Sequence, residues 1–157
     1  MPTNNVTRYL DSRKISYQAL ELPPEKRTAE RTAHLLGVKS KLVYKTIVAE
    51  RRGRGKPILA VVPGDREVDL KALARAIGEK KVSTATRAQA EQLTGLQAGG
   101  ISPLALINRG FEIVIDQDAL GEEAIYLSGG DRSISLKLSG RDLVELTDAK
   151  TAAISTS

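Results

Sequence analysis

Residues 42–63 read Leu42-Val43-Tyr44-Lys45-Thr46-Ile47-Val48-Ala49-Glu50-Arg51-Arg52-Gly53-Arg54-Gly55-Lys56-Pro57-Ile58-Leu59-Ala60-Val61-Val62-Pro63. In an extended chain successive side chains alternate between faces, so Leu42, Tyr44, Thr46 and Val48 share one face and Val43, Lys45, Ile47 and Ala49 the other. Pro57–Pro63 is the most apolar run in the chain, short and bounded by prolines, which predicts a core strand. The basic loop Arg51–Lys56 is too short for a parallel crossover, so these two strands pair antiparallel. A second strand pair, Ala124–Leu127 and Ser133–Leu138, turns through Gly129-Gly130-Asp131-Arg132 in the same way. Helical patterns lie between and around these pairs. The fold class that follows is α+β, a single domain with a mixed, curved, barrel-like β-sheet and helices packed outside.

Outward from the hairpin, the helix signals are capping residues followed by apolar periodicity. Thr3 is positioned to cap a helix over about residues 4–13, and Thr28 a helix that runs to Leu36 and stops at Gly37. Asp69 begins a helix over about 70–77 with Leu70, Leu73, Ala74 and Ile77 on one stripe, and Thr86 caps a helix over about 87–94. Tyr17–Leu22, Lys81–Ala85 and Phe111–Asp116 read as strands, and residues 117–121 as a turn. Leu104–Ile107 is too short to classify. A short helix over 142–146 closes the domain, and the Thr/Ala/Ser tail after about residue 150 is expected to fray. The domain is expected to occupy residues 1–157, without a linker.

A chain of 157 residues can bury a real core. With no Trp and 3% aromatic residues, that core rests on Leu, Ile, Val and Ala, and recognition by stacked aromatic platforms is disfavoured. The absence of cysteine removes thiolate catalysis, disulfides and cysteine metal sites. The one histidine, His34, falls inside a helix without a neighbouring ligand set, so neither a metal nor a nucleotide cofactor has support in the sequence. The start lacks the layout of a signal peptide, and no apolar run approaches 18 residues, so no membrane partner is expected and the location expected is cytoplasmic. Residues 1–100 hold 19 Lys/Arg against 10 Asp/Glu, and residues 101–157 hold 5 against 9. A basic front beside an acidic rear points to a polyanion, and nucleic acid is the natural candidate.

Two glycine pairs punctuate the second half. In Gly95-Leu96-Gln97-Ala98-Gly99-Gly100-Ile101-Ser102-Pro103 the pair frees the backbone to turn and approach a bound group, and Ser102-Pro103 reads as a cap with proline at the first helical position. In Ser128-Gly129-Gly130 the pair ends a strand. Both read either as tight turns or as walls of one pocket built from backbone amides, which can hold phosphate or a developing oxyanion. Lys45 lies among apolar neighbours, so it either snorkels to an edge or has a fixed anionic partner. Arg51, Arg52, Arg54 and Lys56 suit phosphate contact without base reading, although a solubilising turn would look the same.

At Val43-Tyr44-Lys45-Thr46, Gly99-Gly100-Ile101-Ser102-Pro103 and Tyr126-Leu127-Ser128-Gly129-Gly130 the chain resembles the YbaK/prolyl-tRNA-synthetase-associated editing domain family. The three blocks keep the order and separation of that family, and the resemblance covers about residues 4–150. It implies a trans-acting hydrolase that deacylates mischarged tRNA, with cysteine on proline tRNA as the substrate of the YbaK branch. It further implies contact with the tRNA acceptor end and a link to prolyl-tRNA synthetase. Lys45 would touch the substrate near its terminal phosphate or ester. Gly99, Gly100, Ile101 and Ser102, with Ser128, Gly129 and Gly130, would wall the aminoacyl group and terminal ribose, flanked by Tyr44 and Pro103. Two positions depart from the branch. Leu22 stands where several members have tyrosine, although Tyr17 is nearby, and Ser135 stands at a polar or acidic position. Both bear on which amino acid is accepted.

The chemistry the residues permit is consistent with that implication. No Ser-His-acid arrangement can be drawn and GxSxG is absent, so Ser102 and Ser128 are poor nucleophiles. An aminoacyl ester is already reactive, and positioning plus a polarised carbonyl can suffice. The usual pKa of lysine argues against Lys45 as a general base and for a phosphate clamp, with a charged ester oxygen as its other possible target. The attacking group would be water or, for a cysteine substrate, its own thiolate. An alanine-specific deacylase of the same fold and a non-catalytic binder of tRNA or a synthetase are the alternatives.

Overall fold

The computed structural model describes residues 1–156. Among them, eight strands and five α-helices follow in the order α1 (Asn5–Ser12), β1 (Tyr17–Glu21), α2 (Ala29–Leu36), β2 (Tyr44–Arg51), β3 (Ile58–Pro63), α3 (Leu70–Ala76), β4 (Val82–Thr84), α4 (Arg87–Thr94), β5 (Glu112–Asp116), β6 (Ile125–Ser128), β7 (Ile134–Leu138), α5 (Gly140–Thr147) and β8 (Lys150–Ala152). The mixed, curved sheet is present in two pieces and does not close into a barrel. One piece has the order β4-β2-β3-β5-β8, with β2 antiparallel to both β4 and β3, and β5 parallel to both β3 and β8. The other is the antiparallel trio β1-β7-β6. A single parallel bridge, Val43 to Tyr126, ties the second piece to the start of β2.

β3 is the centre of the larger piece, and every one of its residues is buried. Its alternation feeds two layers. Ile58, Ala60 and Val62 pack with Ala49, Leu73, Val114 and Ile154 on one side. Leu59 and Val61 pack on the other with Val48, Ile113 and Ile115, and this larger layer also takes Leu127 and Leu136 from the small sheet, Leu10 from α1 and Leu143 from α5. A strand covered on both faces must be apolar throughout, which is why Ile58–Pro63 carries no polar alternation. Each such aliphatic side chain contributes roughly 1.5–3 kcal/mol on burial, so the β2–β3 hairpin is the anchor from which the other elements hang.

The helix starts follow the capping chemistry of the sequence. Thr28, Asp69 and Thr86 each accept a hydrogen bond from the third amide of their helix, and Thr86 completes a reciprocal capping box with Gln89. Several boundaries differ from expectation by a residue or two, and four are informative. α1 is capped by Asn4 rather than Thr3, because Asn4 forms a capping box with Thr7. Leu42 belongs to a 3-10 turn, Ser40–Leu42, before β2. β6 is shifted by one residue to include Ser128. α5 starts at Gly140, ahead of the expected Asp142, because Ser139 is its cap.

The tail is a larger correction. It does not fray: β8 pairs with β5, Ile154 is fully buried, and the Asp69 amide donates to the Ile154 carbonyl at 2.7 Å. Val68 bridges to Ser155, and the Thr156 amide donates to the Glu67 carbonyl at 2.8 Å. These residues therefore strap down the loop between β3 and α3.

Candidate active site

Where the two sheet pieces diverge, a cleft of about 530 Å³ opens. Its floor is the first half of β2, from Val43 to Val48. One wall is the entry to α2, Arg27 to Glu30, and another is the end of β4 with α4, from Thr84 to Ala90. Gly99, Ile101, Leu127, Ser128, Ile134 and Ser135 complete it. Thus Lys45, Tyr44, Gly99, Ile101, Ser128 and Ser135, separated by up to 91 positions in the chain, face one hollow.

The Lys45 side chain is 24% exposed, and its Nζ donates to Glu67 Oε1 at 3.2 Å. The two possibilities open for a lysine on this strand are resolved together: it reaches the rim, and it has an anionic partner there. Glu67 lies on the loop that the C-terminal strap holds. Tyr44 is buried in the larger core layer, and burial first, then the Asp116 carboxylate, pushes its phenol well above the usual range, so it stays neutral. It also borders a second, more polar crevice with Lys41, Asp65, Arg66, Asp118 and Glu122.

The two glycine bends meet, but they do different things. Gly99 adopts a left-handed φ of 88°, and a Cβ on Gly100 would stand 3.1 Å from the Asp131 backbone and 3.3 Å from the Arg132 amide nitrogen, so a larger residue at either position would strain the turn or push the bends apart by a few tenths of an ångström. Arg132 Nε donates to the Ala98 carbonyl at 2.7 Å and locks the contact. The Gly100 amide is spent on the Gln97 carbonyl at 2.8 Å. The Gly99 and Ile101 amides, both at the cleft, have no hydrogen-bond acceptor among the described residues. They are among the backbone donors open to a ligand at residues that line the cleft, as are the Ala29 and Glu30 amides at the start of α2. Gly129 and Gly130 stand behind Ser128: the Gly129 amide closes the β6–β7 hairpin on Ile134, and the Gly130 amide donates to Ser128 Oγ. Their amides serve the turn and do not face the hollow.

The other residues singled out from the sequence, away from the cleft, are structural where they lie. Ser102 is fully buried and caps Pro103–Ala105 through the Leu104 amide at 3.2 Å, with Pro103 buried at the first position. Leu22 is buried, with its amide bonded to the Ser133 carbonyl. Tyr17 donates its hydroxyl to Asp11 at 2.8 Å on the α1 side; burial and this bond raise its pKa. Arg51 is a clear correction. Its guanidinium, 11% exposed, is bound to Glu79 at 2.9 Å, to Glu112 and to the Lys56 carbonyl, so it holds the hairpin together and is not free to meet a phosphate. Arg52, Arg54 and Lys56 are exposed on the β2–β3 loop. They lie about 20 Å from Lys45 at the strand rise of roughly 3.3 Å per residue.

Arg27 and Gly64 are among the cleft residues that escaped the sequence reading. Arg27 donates to Thr32 Oγ1, to the Pro23 and Glu25 carbonyls and to the Arg132 carbonyl at 2.7 Å, tying the α2 entry to the second glycine bend. Desolvation on burial lowers its pKa, yet a guanidinium stays charged. Gly64 allows α2 to sit against β2: a Cβ there would come within 2.6 Å of both Ala29 Cβ and the Val43 carbonyl oxygen. Neither residue carries a local signal, since both matter through partners distant in the chain.

Comparison with known proteins places this geometry in context. Residues 23–146 match the family model described as an aminoacyl-tRNA editing domain. An Enterococcus faecalis protein, EbsC, provisionally named as a Cys-tRNA(Pro)/Cys-tRNA(Cys) deacylase, is 32% identical over 97% of this chain and 93% of its own. The prolyl-tRNA editing protein ProX of Acetoanaerobium sticklandii is 27% identical over 89% of this chain and 87% of its own. Among solved structures, the hypothetical protein APE2540 superposes with a TM-score of 0.89 at 29% identity, covering 98% of this chain and all of that one. No helix among the described residues is long and apolar enough to cross a membrane.

Proposed function

This chain belongs to the aminoacyl-tRNA editing domain family, and on that premise we propose that it is a trans-acting hydrolase that deacylates mischarged tRNA, with cysteinyl-tRNA(Pro) as its substrate. The observation that carries the reading is the convergence of the Lys45 ammonium with the two unengaged amides of Gly99 and Ile101 on one cleft. In this reading the terminal aminoacyl-adenosine enters between the α2 entry and α4. The ester carbonyl lies toward the amides, which stabilise the negative charge that develops on its oxygen. Lys45 holds the terminal phosphate as a fixed cation and lowers the cost of bringing a polyanion into a partly dry hollow.

The attacking oxygen of water, or the thiolate of the substrate, adds to the carbonyl carbon. The bond to the ribose oxygen then breaks, and that oxygen takes the proton given up by the attacking water or, in the thiolate route, one from solvent, leaving a cyclic thioester that a second water opens to free cysteine. The only histidine, His34, does not line the cleft, so a His-based relay is not available there. The amino-acid side chain would rest on Val48, Ala85, Ala90, Leu127 and Ile134, an apolar surface that suits a small, weakly polar group such as a thiol. Prolyl-tRNA synthetase, whose errors would supply the substrate, is the expected partner.

Single-turnover deacylation of proline tRNA charged with cysteine, alanine or proline tests this. Release of cysteine, with alanine and proline retained, is the expected result. At sub-saturating protein, Lys45→Ala should slow release about 10–10²-fold, the usual effect of losing one charge-assisted hydrogen bond to the substrate. Preferential release of alanine would reassign the amino acid within the same chemistry. Retarded tRNA migration with no release at all would replace the hydrolase by a binding module.

A further inference from the structure

We propose that Glu67 is the receptor for the α-ammonium group of the bound aminoacyl ester, so that Lys45 and Glu67 together form a charge pair matched to the charged end of the substrate. The inference rests on the hydrolase reading and adds the element by which a free amino group would be recognised. An aminoacyl ester places its ammonium one carbon from the carbonyl that is to be attacked. A site that holds the phosphate with a cation and the carbonyl oxygen with amides is complemented, on its ammonium side, by an anion at the same cleft.

Glu67 meets this need. Its Oε1 stands 3.2 Å from Lys45 Nζ, it borders the cleft, and its side chain is 81% exposed, so its remaining acceptor positions are open to a ligand. An ion pair this exposed contributes little to stability, because water solvates both charges nearly as well as they solvate each other. Its placement is nevertheless secured. The Glu67 carbonyl accepts from the Thr156 amide at 2.8 Å and from Thr156 Oγ1 at 3.3 Å, and the Glu67 amide donates back to Thr156 Oγ1 at 3.3 Å. The next two residues are held as well, Val68 by its bridge to Ser155 and Asp69 by its amide bond to Ile154. A surface carboxylate on a backbone fixed at three successive residues is a positioned group.

Glu30 is the other carboxylate at the cleft. It sits in the first turn of α2, where negative charge already complements the positive end of the helix. Its role there is accounted for without a ligand.

The test compares Glu67→Gln, Glu67→Asp and Glu30→Gln with the unmodified protein, on cysteinyl-tRNA(Pro) and on the same substrate with its α-amine acetylated. Glu67→Gln should lower kcat/KM for the free amine about ten-fold, mainly through KM, as loss of one charge-assisted hydrogen bond implies. It should leave the acetylated ester nearly unaffected and so abolish the preference for a free amine, and Glu67→Asp should restore part of that preference. A purely structural role would lower both substrates alike, and that result would overturn the proposal. So would loss of the preference in Glu30→Gln instead. Calorimetric binding of 3′-amide-linked aminoacyl-adenosine, with and without the acetyl group, keeps this inference separate from the hydrolase reading. A preference for the free amine that depends on Glu67 would stand even if no ester were cleaved, and its absence would end the proposal even if esters were cleaved.

Discussion

The two ends of β2 carry cations in opposite circumstances. At its start Lys45 is partly exposed and held by one solvent-exposed carboxylate; at its end Arg51 is almost enclosed and held by two carboxylates and a carbonyl. The difference is one of commitment. Arg51 spends Nε and both Nη atoms on partners within the fold, so its charge is invested there, whereas Lys45 keeps two ammonium donors for something that is not part of the chain. A basic residue in a strand thus reads as a site or as a rivet according to what surrounds its head group, and proximity to a run of other basic residues says little.

The sharpest way to break this comparison is to remove each cation. Arg51→Ala should destabilise the protein by about 1–3 kcal/mol in urea denaturation, because Glu79 would lose its counter-charge and Glu112 would keep only Lys150, while the folded fraction keeps its deacylation rate. Lys45→Ala should do the reverse, with loss of deacylation and a change in midpoint close to zero. If both substitutions altered stability alike, the division into site and rivet would be wrong.

Acid sharpens the same contrast. Burial opposes the charge on Glu112, but the hydrogen bonds and charges of Lys150 and Arg51 outweigh it and hold its pKa below the ordinary carboxylate range. A depressed carboxylate stabilises the native state above its unfolded pKa of about 4.3, and that contribution is lost as pH falls through the lower folded value. Stability measured from pH 5 downward should therefore fall, and Glu112→Gln should flatten that decline. An unchanged slope would mean that the cluster at the end of β2 is looser than its geometry implies.

The smallest expected effect concerns the loop beyond Arg51. Neutralising Arg52, Arg54 and Lys56 together should leave deacylation of saturating substrate unchanged and weaken binding of all tRNAs equally, with the slope of log affinity against log salt reduced by up to about 3. An unaltered slope in filter binding would make the loop a solubilising turn.

Much of the fold is legible in the sequence because its signals are local. The caps Thr28, Asp69 and Thr86 and the short basic loop between β2 and β3 each announce themselves within a few residues. What cannot be read depends on partners far along the chain. The division into two sheets follows from β1 pairing with β7, from Tyr17 opposite Leu138, and no local pattern encodes it. Fraying is the local reading of the tail because Lys150, Ala152 and Ala153 carry little β signal of their own; β5 supplies the edge on which Lys150–Ala152 settle, and Ile154 fills a gap beside α3. At the cleft, the glycine pairs and Lys45 stand out as residue types. Glu67, 22 positions from Lys45, becomes its partner only through the strap, and the fate of Arg51 turns on Glu79 and Glu112, 28 and 61 positions away.

The strap also separates integrity of the cleft from integrity of its rim. Thr156→Pro would alter no residue that borders the hollow and would leave Ile154 in the core, yet Glu67 would lose the amide and hydroxyl that tether its backbone. Such a change should register as a shift in which esters the protein tolerates rather than as unfolding. The strap would behave as a tuning peg for selectivity.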